Sequence, residues 1–559
     1  MKKWFLIIVG TIIWSLTMVR SGLVSSSGMG FWGANGHDGI WHIALIAQLT
    51  KLPFMMPVFA GFSLQNYHIG FDLLTAFLHL ETGLSVSNLY FQILPPVFAL
   101  FVGLLTYWFV NLLTGSAKSA FWSTFFVYFG GGLGWLVTSF RNSIFDGESM
   151  FWSQQAISTL INPSFALSLI FVLLGLIFLL KYLKNNKFHF LIFSSVFFGL
   201  LIEIKVYAGL LILGGLLVAS FWRIIKEKKK DFLLVFLFSL AISVFLFCRF
   251  SGKDPQNLII FQPFWFLETM MGLSDRLGWM KFHSAMTTYR MGGIWIKAIM
   301  AYGVAFLVFL IGNMGTRIIF IKDVFKKPDS IKILVLSVIT AGIAIPTFFL
   351  QKGTPWNTIQ FFYYSLFFSA ILAGIAVSHL SKYLLAVIVL LTLPTTIGAM
   401  KHYLPKNPPA FLSSAELEAL SFLKNQPDGV VLTYPFDAVK AKEAEKNPPR
   451  PLYLYDSTAY VSAFSNKITF LEDQVNLDIT GYDWKNRLDE VKLWYKEPSQ
   501  IKSREFLKEN NIKYIYWLKG DKRYLYATEQ RAFLGETELG IEKIFDNKEV
   551  GVYVVKSEI

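Results

Sequence analysis

Runs of about 20 apolar residues recur along the first two thirds of this chain, and they limit the fold more than any other feature. A helix of that length matches the hydrocarbon core of a bilayer. Charged residues make up 16% of the 559 positions, whereas a soluble domain carries about 25%. The sequence therefore predicts an α-helical polytopic membrane protein with about 11 transmembrane helices.

Lysine-rich connections between the predicted helices indicate a topology. With the N-terminus in the cytoplasm, about 11 crossings place the basic connections 181–187, 223–230 and 322–327 inside, as the positive-inside rule requires. Lys2 and Lys3 precede an apolar run that is long for a signal peptide, so we expect an uncleaved first helix. Lysines that flank membrane helices are a sufficient reason for a basic chain with a net charge of +14, and no nucleic-acid partner is predicted. The predicted location is the plasma membrane.

The same topology predicts two domains. Residues 1–400 form a transmembrane domain whose long outer loops are 20–87, 141–163 and 251–293. Beyond a proline-rich linker, residues 405–559 form a small extracytoplasmic α/β domain, long enough for a core of its own.

Local patterns assign elements to this C-terminal domain. Alternating apolar residues predict strands, and periods of 3.6 residues predict helices. The predicted strands are 430–434, 459–464, 514–518 and 550–555, and the predicted helices are 413–425, 484–495 and 499–510.

The segment 36–42, with the sequence GHDGIWH, places an acid and two imidazoles in the first outer loop. Asp38 can act as a general base or bind a divalent cation. The alternative is an N-cap for a weakly amphipathic helix predicted over 38–50. His42 lies four residues further on the same helix face, so it can share a proton or a metal with Asp38; the alternative is an ordinary interfacial histidine. His37 is given no role. Asp72, in a second amphipathic stretch at 67–82, ranks lower.

Three further places carry candidate residues. Asp146 and Glu148 form an acid pair in the second outer loop that can hold Mg²⁺ or Mn²⁺, although Asp-Gly is also a common turn. Lys205, together with Glu203, interrupts an apolar segment, where a lysine can bind a lipid-linked phosphate. The alternatives are snorkelling to the interface or an ion pair between the two. Arg290 is one of several third-loop cations that could meet a phosphate.

The order of these features resembles a known superfamily. The early Asp38 in the first outer loop is followed by Tyr67-His68, by LLTAF at 73–77 and by TGLS at 82–85. This pattern resembles the GT-C glycosyltransferases, in particular the protein mannosyltransferase-like and aminoarabinose transferase-like branch. In the protein mannosyltransferase pattern the first-loop acid is followed by Glu, whereas here Gly39 follows Asp38.

The resemblance implies transfer of a sugar from a polyprenyl-phosphate carrier to an acceptor outside the membrane, which is a lipid, a glycan or a protein. It implies that the first-loop acid, Asp38, is catalytic. Some GT-C branches also use an acid pair in the next outer loop, where Asp146 and Glu148 lie.

The working hypothesis is an inverting glycosyl transfer at the outer membrane surface. Asp38 would take the proton of the acceptor hydroxyl, and Lys205 with a loop arginine such as Arg290 would bind the carrier phosphate. His42 and Glu203 would contact substrate. Two other functions stay open, a transporter or flippase of lipid-linked sugars and a non-catalytic membrane scaffold with an outer binding domain. A transporter favours repeated halves and charges buried in mid-membrane, which the sequence does not display.

Overall fold

A computed structural model describes most of the chain, namely residues 1–250, 259–324, 328–496, 500–519 and 540–556. The start of the third predicted loop (251–258), Lys326 and Lys327 of the basic connection, and residue 499 of a predicted helix lie outside the described residues.

The chain forms two compact units. The helical unit comprises Met1–Thr17, His68–Phe71 and Leu94–Leu404, and the mixed unit comprises Met18–Tyr67, Asp72–Ile93 and Pro405–Ile559. The predicted division into residues 1–400 and 405–559 stays a prediction.

Apolar helices dominate the chain. Among the described residues, eight helices are long and apolar enough to cross a bilayer, or nine if a pair bent by 46° counts as one span. The predicted helical class is confirmed, whereas the count of about 11 helices is not, since the first helix, Lys2–Ser15, has 14 residues and Phe188–Ile204 is also short. The eight are Val86–Thr114, Pro163–Asn185, Val206–Glu227, Asp231–Arg249, Trp295–Phe320, Ser330–Phe348, Pro355–Val377 and Lys382–Tyr403; the bent pair is Ala117–Phe129 with Gly134–Asn142.

Breaks in these helices occur where the sequence predicts them. The apolar run after residue 187 divides into Phe188–Ile204 and Val206–Glu227, with Lys205 in an extended conformation (φ −159°, ψ 106°) between them. The third predicted loop contains the helices Trp265–Gly272 and Met280–Met291. It also contains the strand Ile259–Phe261, which pairs antiparallel with Phe349–Gln351.

Two four-stranded sheets lie in the mixed unit. The first joins strands of the predicted first outer loop to strands beyond Pro405, in the order Val24–Ser25, Gly28–Phe31, Ala410–Ser413 and Arg450–Pro451. The second has the order Val430–Leu432, Ile512–Leu518, Val550–Val555 and Ile541–Asp546, with a parallel first pair and antiparallel pairs after it.

Helices cover these sheets, and one of them corrects a prediction. The predicted strand at 459–464 is a helix, Tyr460–Ser465. The Glu472 carboxylate accepts the backbone N–H groups of Val461 and Ser462, so a tertiary contact satisfies donors that a first helical turn leaves open. The other helices of this unit beyond Pro405 are Ser414–Lys424, Ala438–Ala444, Gln474–Thr480, Lys485–Lys496 and Gln500–Glu509.

The helix that begins at Asp38, Asp38–Leu49, is buried at every position except Asp38. It packs against Tyr460–Ser465. The expected weakly amphipathic helix is therefore wrong here, because a helix that is buried on every side has no solvent-facing polar face. The second stretch, Gly70–Thr82, does have two faces: Phe71 is buried and Phe77 is 58% exposed.

A close approach explains the glycine after Asp38. A Cβ atom built on Gly39 would lie 2.8 Å from Cζ of Phe91, and the Phe91 ring is fully buried and has no room to move. The absence of a side chain at residue 39 thus lets the Asp38 helix pack closely against Phe91.

We predict that Gly39→Ala destabilises the full-length protein by about 1–3 kcal/mol, since overpacking a buried contact forces neighbouring atoms to shift. The midpoint of thermal unfolding in detergent micelles should fall. Gly303→Ala is the matched control, because a Cβ atom there meets nothing within 4 Å. A lower midpoint for Gly303→Ala with no change for Gly39→Ala would contradict the packing argument.

Candidate functional site

Asp38 is the first residue of its helix, and the N-cap residue is His37. The alternative that Asp38 is the N-cap residue is therefore wrong. The Asp38 side chain is 52% exposed, so it can be reached from solvent although the rest of its helix is buried. Its Oδ1 lies 2.8 Å from Nδ1 of His37.

The imidazole of His37 also faces a second acid. Its Nε2 lies 3.3 Å from Oδ1 of Asp473, whose side chain is fully buried. Asp473 accepts the backbone N–H of Asn476 at 3.0 Å and its side-chain amide at 2.8 Å. A protonated imidazole has two N–H groups: Nδ1 lies at hydrogen-bond distance from Asp38, and Nε2 makes an ion-pair contact with Asp473. Residues 38, 37 and 473 thus form an acid–imidazole–acid row, which we call the His37 clamp.

The charge state of His37 follows from this environment. Burial disfavours the imidazolium, but the carboxylates of Asp473 and Asp38 outweigh it and raise the pKa of His37 well above its usual value. The two carboxylates therefore favour the protonated form of the His37 imidazole.

His42, the other imidazole of the segment, belongs to a different pair. Its Nδ1 lies 2.7 Å from Oδ1 of Asp72, and both side chains are buried. Its ring stacks on Tyr90, with 5.6 Å between ring centroids. His42 was expected to share a proton or metal with Asp38; the structure gives each of the two its own partner.

Lys205 lies in the break between two apolar helices of the helical unit. It is 4% exposed, and its Nζ lies 3.4 Å from Oδ1 of Asn162 and 5.5 Å from the centre of the Tyr207 ring. Glu203 accepts a hydrogen bond from the backbone of Ile69. The lysine thus combines burial with polar neighbours at a helix end, an environment in which an ammonium group binds an anion strongly.

Arg290 has a partner that offsets its charge. Its guanidinium forms a salt bridge with Glu268, which also accepts the hydroxyl of Tyr302. The Arg290 side chain is 40% exposed. An anion at Arg290 would have to compete with this carboxylate.

The acids of the second predicted loop are engaged in hydrogen bonds. Glu148 Oε1 accepts the Gln155 backbone N–H at 3.2 Å, the Ser158 hydroxyl at 2.8 Å and the Tyr403 hydroxyl at 3.2 Å. Burial raises the pKa of Glu148 to about 7, because a carboxylate without a cation is costly in a low-dielectric surrounding.

A divalent cation does not fit these residues. Asp146 Oδ1 accepts the N–H of Gly147 at 2.8 Å, and Glu148 is held by three donors. In the part of the chain that the structure describes, no three His, Cys, Asp or Glu side chains form a group that could hold a metal ion. We therefore derive no step through a cation at Asp146 and Glu148.

Comparison with known proteins gives the fold. No protein-family model matches the chain, and no curated protein matches it in sequence. Among solved structures, an oligosaccharyltransferase of Archaeoglobus fulgidus, tethered with an acceptor peptide containing the NVT sequon, superposes with a TM-score of 0.50 at 12% identity, over 92% of this chain and 69% of that one. The arabinofuranosyltransferase AftD from Mycobacteria superposes with a TM-score of 0.54 at 12% identity, over 100% of this chain.

The chain has the GT-C fold. The resemblance expected from the first outer loop is confirmed for the fold, and the chain is a multi-pass membrane protein. It spans 42% of the length of AftD. At 12% identity the likeness concerns the fold, and what those two enzymes act on is a property of those enzymes.

The sequence analysis did not identify two residues of the His37 clamp. His37 was given no role and Asp473 was not considered, since nothing in the local pattern around residue 473 marks it as a partner of the first loop. Asp72 ranked low, although its helical stretch was predicted. Only the unusual density of ionisable residues in the segment 36–42 signals this part of the site.

The raised pKa of Glu148 makes a prediction about stability. The folded state holds the proton up to about pH 7, whereas the unfolded chain releases it near 4.5. The stabilising contribution is therefore complete below about pH 4.5 and is lost as pH rises to about 7. Glu148→Gln removes this loss. The free energy of unfolding of the variant, relative to that of the wild type, should therefore increase with rising pH, by at most ~3 kcal/mol.

The measurement is the thermal unfolding midpoint of both proteins from about pH 5 to pH 8. Glu81→Gln is the control, because Glu81 is exposed. A constant difference between Glu148→Gln and wild type across this range would contradict the assignment.

Proposed function

We propose that this GT-C chain is a glycosyltransferase that moves a sugar from a polyprenyl-phosphate donor to an acceptor hydroxyl or amide on the outer side of the plasma membrane. The observation that carries the proposal is Asp38, a half-exposed carboxylate at the start of a buried helix and held by a charged imidazole. The GT-C fold supports it, since both solved structures compared above are named as transferases of sugars.

The proposed reaction is a single displacement at the anomeric carbon. An oxygen or nitrogen of the acceptor forms a bond to this carbon while the bond to the phosphate oxygen breaks. The proton of the acceptor goes to Asp38, and the bonding electrons leave with the polyprenyl phosphate. Attack opposite to the leaving group inverts the anomeric configuration.

Lys205 is proposed to bind the phosphate of the donor. The charge on the phosphate grows as the bond breaks, and a buried ammonium group stabilises that charge more than an exposed one would. Arg290 contributes less in this proposal because Glu268 pairs with it. No role in the reaction is assigned to a metal ion.

We predict that Asp38→Asn lowers the transfer rate by at least about 100-fold, since a general base contributes that much or more. The assay uses the full-length protein in proteoliposomes, a panel of radiolabelled polyprenyl-phosphate sugars, and extraction of labelled product. Asp483→Asn, at an exposed position of the same unit, is the matched control. Full transferase activity of a folded Asp38→Asn protein would refute the role of Asp38.

For Lys205→Gln we predict a KM for the donor that rises about tenfold or more, since a hydrogen bond to a charged group is worth ~1.5–3 kcal/mol. Lys205→Arg retains the charge and should recover part of the loss. Lys187→Gln, at an exposed connection, serves as control. An unchanged KM in a folded Lys205→Gln protein would exclude Lys205 from phosphate binding.

A further inference from the structure

The mechanism proposed above uses only one member of the His37 clamp. The Asp38 carboxylate accepts the proton, whereas His37 and Asp473 have no contact with reacting atoms in that scheme. Yet both are buried ionisable groups, and a buried charge that has no partner lowers the stability of the fold.

We propose that His37 and Asp473 are positioning residues for Asp38: the imidazolium holds the Asp38 carboxylate in one orientation, and Asp473 holds the imidazolium. This inference rests on the proposed role of Asp38 as general base. The new element is that Asp473, which is far from Asp38 in sequence, determines the orientation of the Asp38 carboxylate.

Orientation is the first part of the argument. Asp38 is half exposed, and an exposed carboxylate at a first helical residue rotates among several rotamers. The 2.8 Å contact from His37 Nδ1 fixes its Oδ1. A base must lie within about 3 Å of the proton that it removes, and small displacements of a catalytic group cost large factors in rate.

The rigidity of Asp473 is the second part. Its side chain is fully buried and bonds to the backbone and side-chain N–H groups of Asn476. Its backbone is left-handed, with φ +47°, a conformation that a non-glycine residue adopts at some cost. The carboxylate facing His37 is thus held from within its own turn.

The charge balance is the third part. Next to Asp473, burial raises the pKa of Glu472 to about 8, so that acid is neutral at pH 7. Burial also raises the pKa of Tyr455, near Asp38, to about 12. Among the residues that the structure describes, the charged groups that face His37 are therefore Asp38 and Asp473. One imidazolium offsets the charge of the buried Asp473 carboxylate.

The experiment compares pH profiles of kcat and KM for wild type, His37→Gln and Asp473→Asn, with the full-length protein in proteoliposomes and radiolabelled polyprenyl-phosphate sugars. Loss of the Asp473 charge lets His37 release its proton more easily, so the alkaline limb of kcat should move to lower pH in Asp473→Asn. His37→Gln should lack this limb. Both variants should lose about tenfold or more in kcat at neutral pH with little change in KM. Asp473→Glu, which retains the charge, should recover part of the rate.

A second readout needs no activity. A raised His37 pKa stabilises the folded wild type below about pH 6.5, and this stability is lost as pH rises through the folded-state pKa. In Asp473→Asn the loss should still begin near pH 6.5 but be smaller and end at a lower pH, and in His37→Gln it should be absent. Thermal unfolding midpoints from about pH 6 to pH 9 measure this. Identical pH dependence in wild type and both variants would overturn the clamp.

The outcomes separate the two claims. If Asp38→Asn is inactive while folded His37→Gln and Asp473→Asn keep the wild-type kcat and pH profile, the positioning role is wrong and the proposed function stands. If wild type transfers no label while its stability depends on pH as expected, the clamp exists as a structural feature, and both the proposed function and the positioning role fail.

Discussion

A buried carboxylate needs a cation, and in the mixed unit this requirement fixes the arrangement around the candidate site. The Asp473 side chain has no exposure to solvent, and His37 supplies the facing charge. Removing one partner of a buried pair costs far more than the pair itself contributes, because the remaining charge stays uncompensated. The backbone at His37 is thereby tied to the turn at Asp473, and Asp38 follows directly in sequence. The glycine at position 39 then permits the close packing of the helix that begins there.

In the helical unit, the buried groups Lys205 and Glu148 have different environments. Lys205 lies at a helix break, beside the amide oxygen of Asn162, where polar groups are available that a continuous apolar helix would not offer. Glu148 is buried and accepts three hydrogen bonds, and burial raises its pKa to about 7. Both groups therefore lie beside hydrogen-bonding partners within the helical unit.

Local information in the sequence was enough for most helices, since length and hydropathy decide whether a segment crosses a bilayer. The break at Lys205 was predictable for the same reason. The segment 459–464 was not, because an apolar run with Tyr, Val and Phe favours a strand, while the Glu472 carboxylate accepts the N–H groups of Val461 and Ser462 and stabilises a helix. The pairs His42–Asp72 and His37–Asp473 could not be predicted from the sequence either, since side chains far apart in sequence meet only in the folded chain. The four-residue spacing predicts a contact between Asp38 and His42, whereas in the structure Asp38 contacts His37.

The central claim, that the chain cleaves a lipid-linked sugar donor, has one direct test. Proteoliposomes with the full-length protein receive a polyprenyl-phosphate sugar labelled in both the lipid and the sugar, together with a membrane extract as the source of acceptor. Mass spectrometry of the lipid fraction then follows the carrier. The account predicts sugar-free polyprenyl phosphate in equal amount to sugar found on the acceptor. Intact donor that has merely moved across the bilayer would contradict it and would indicate a flippase.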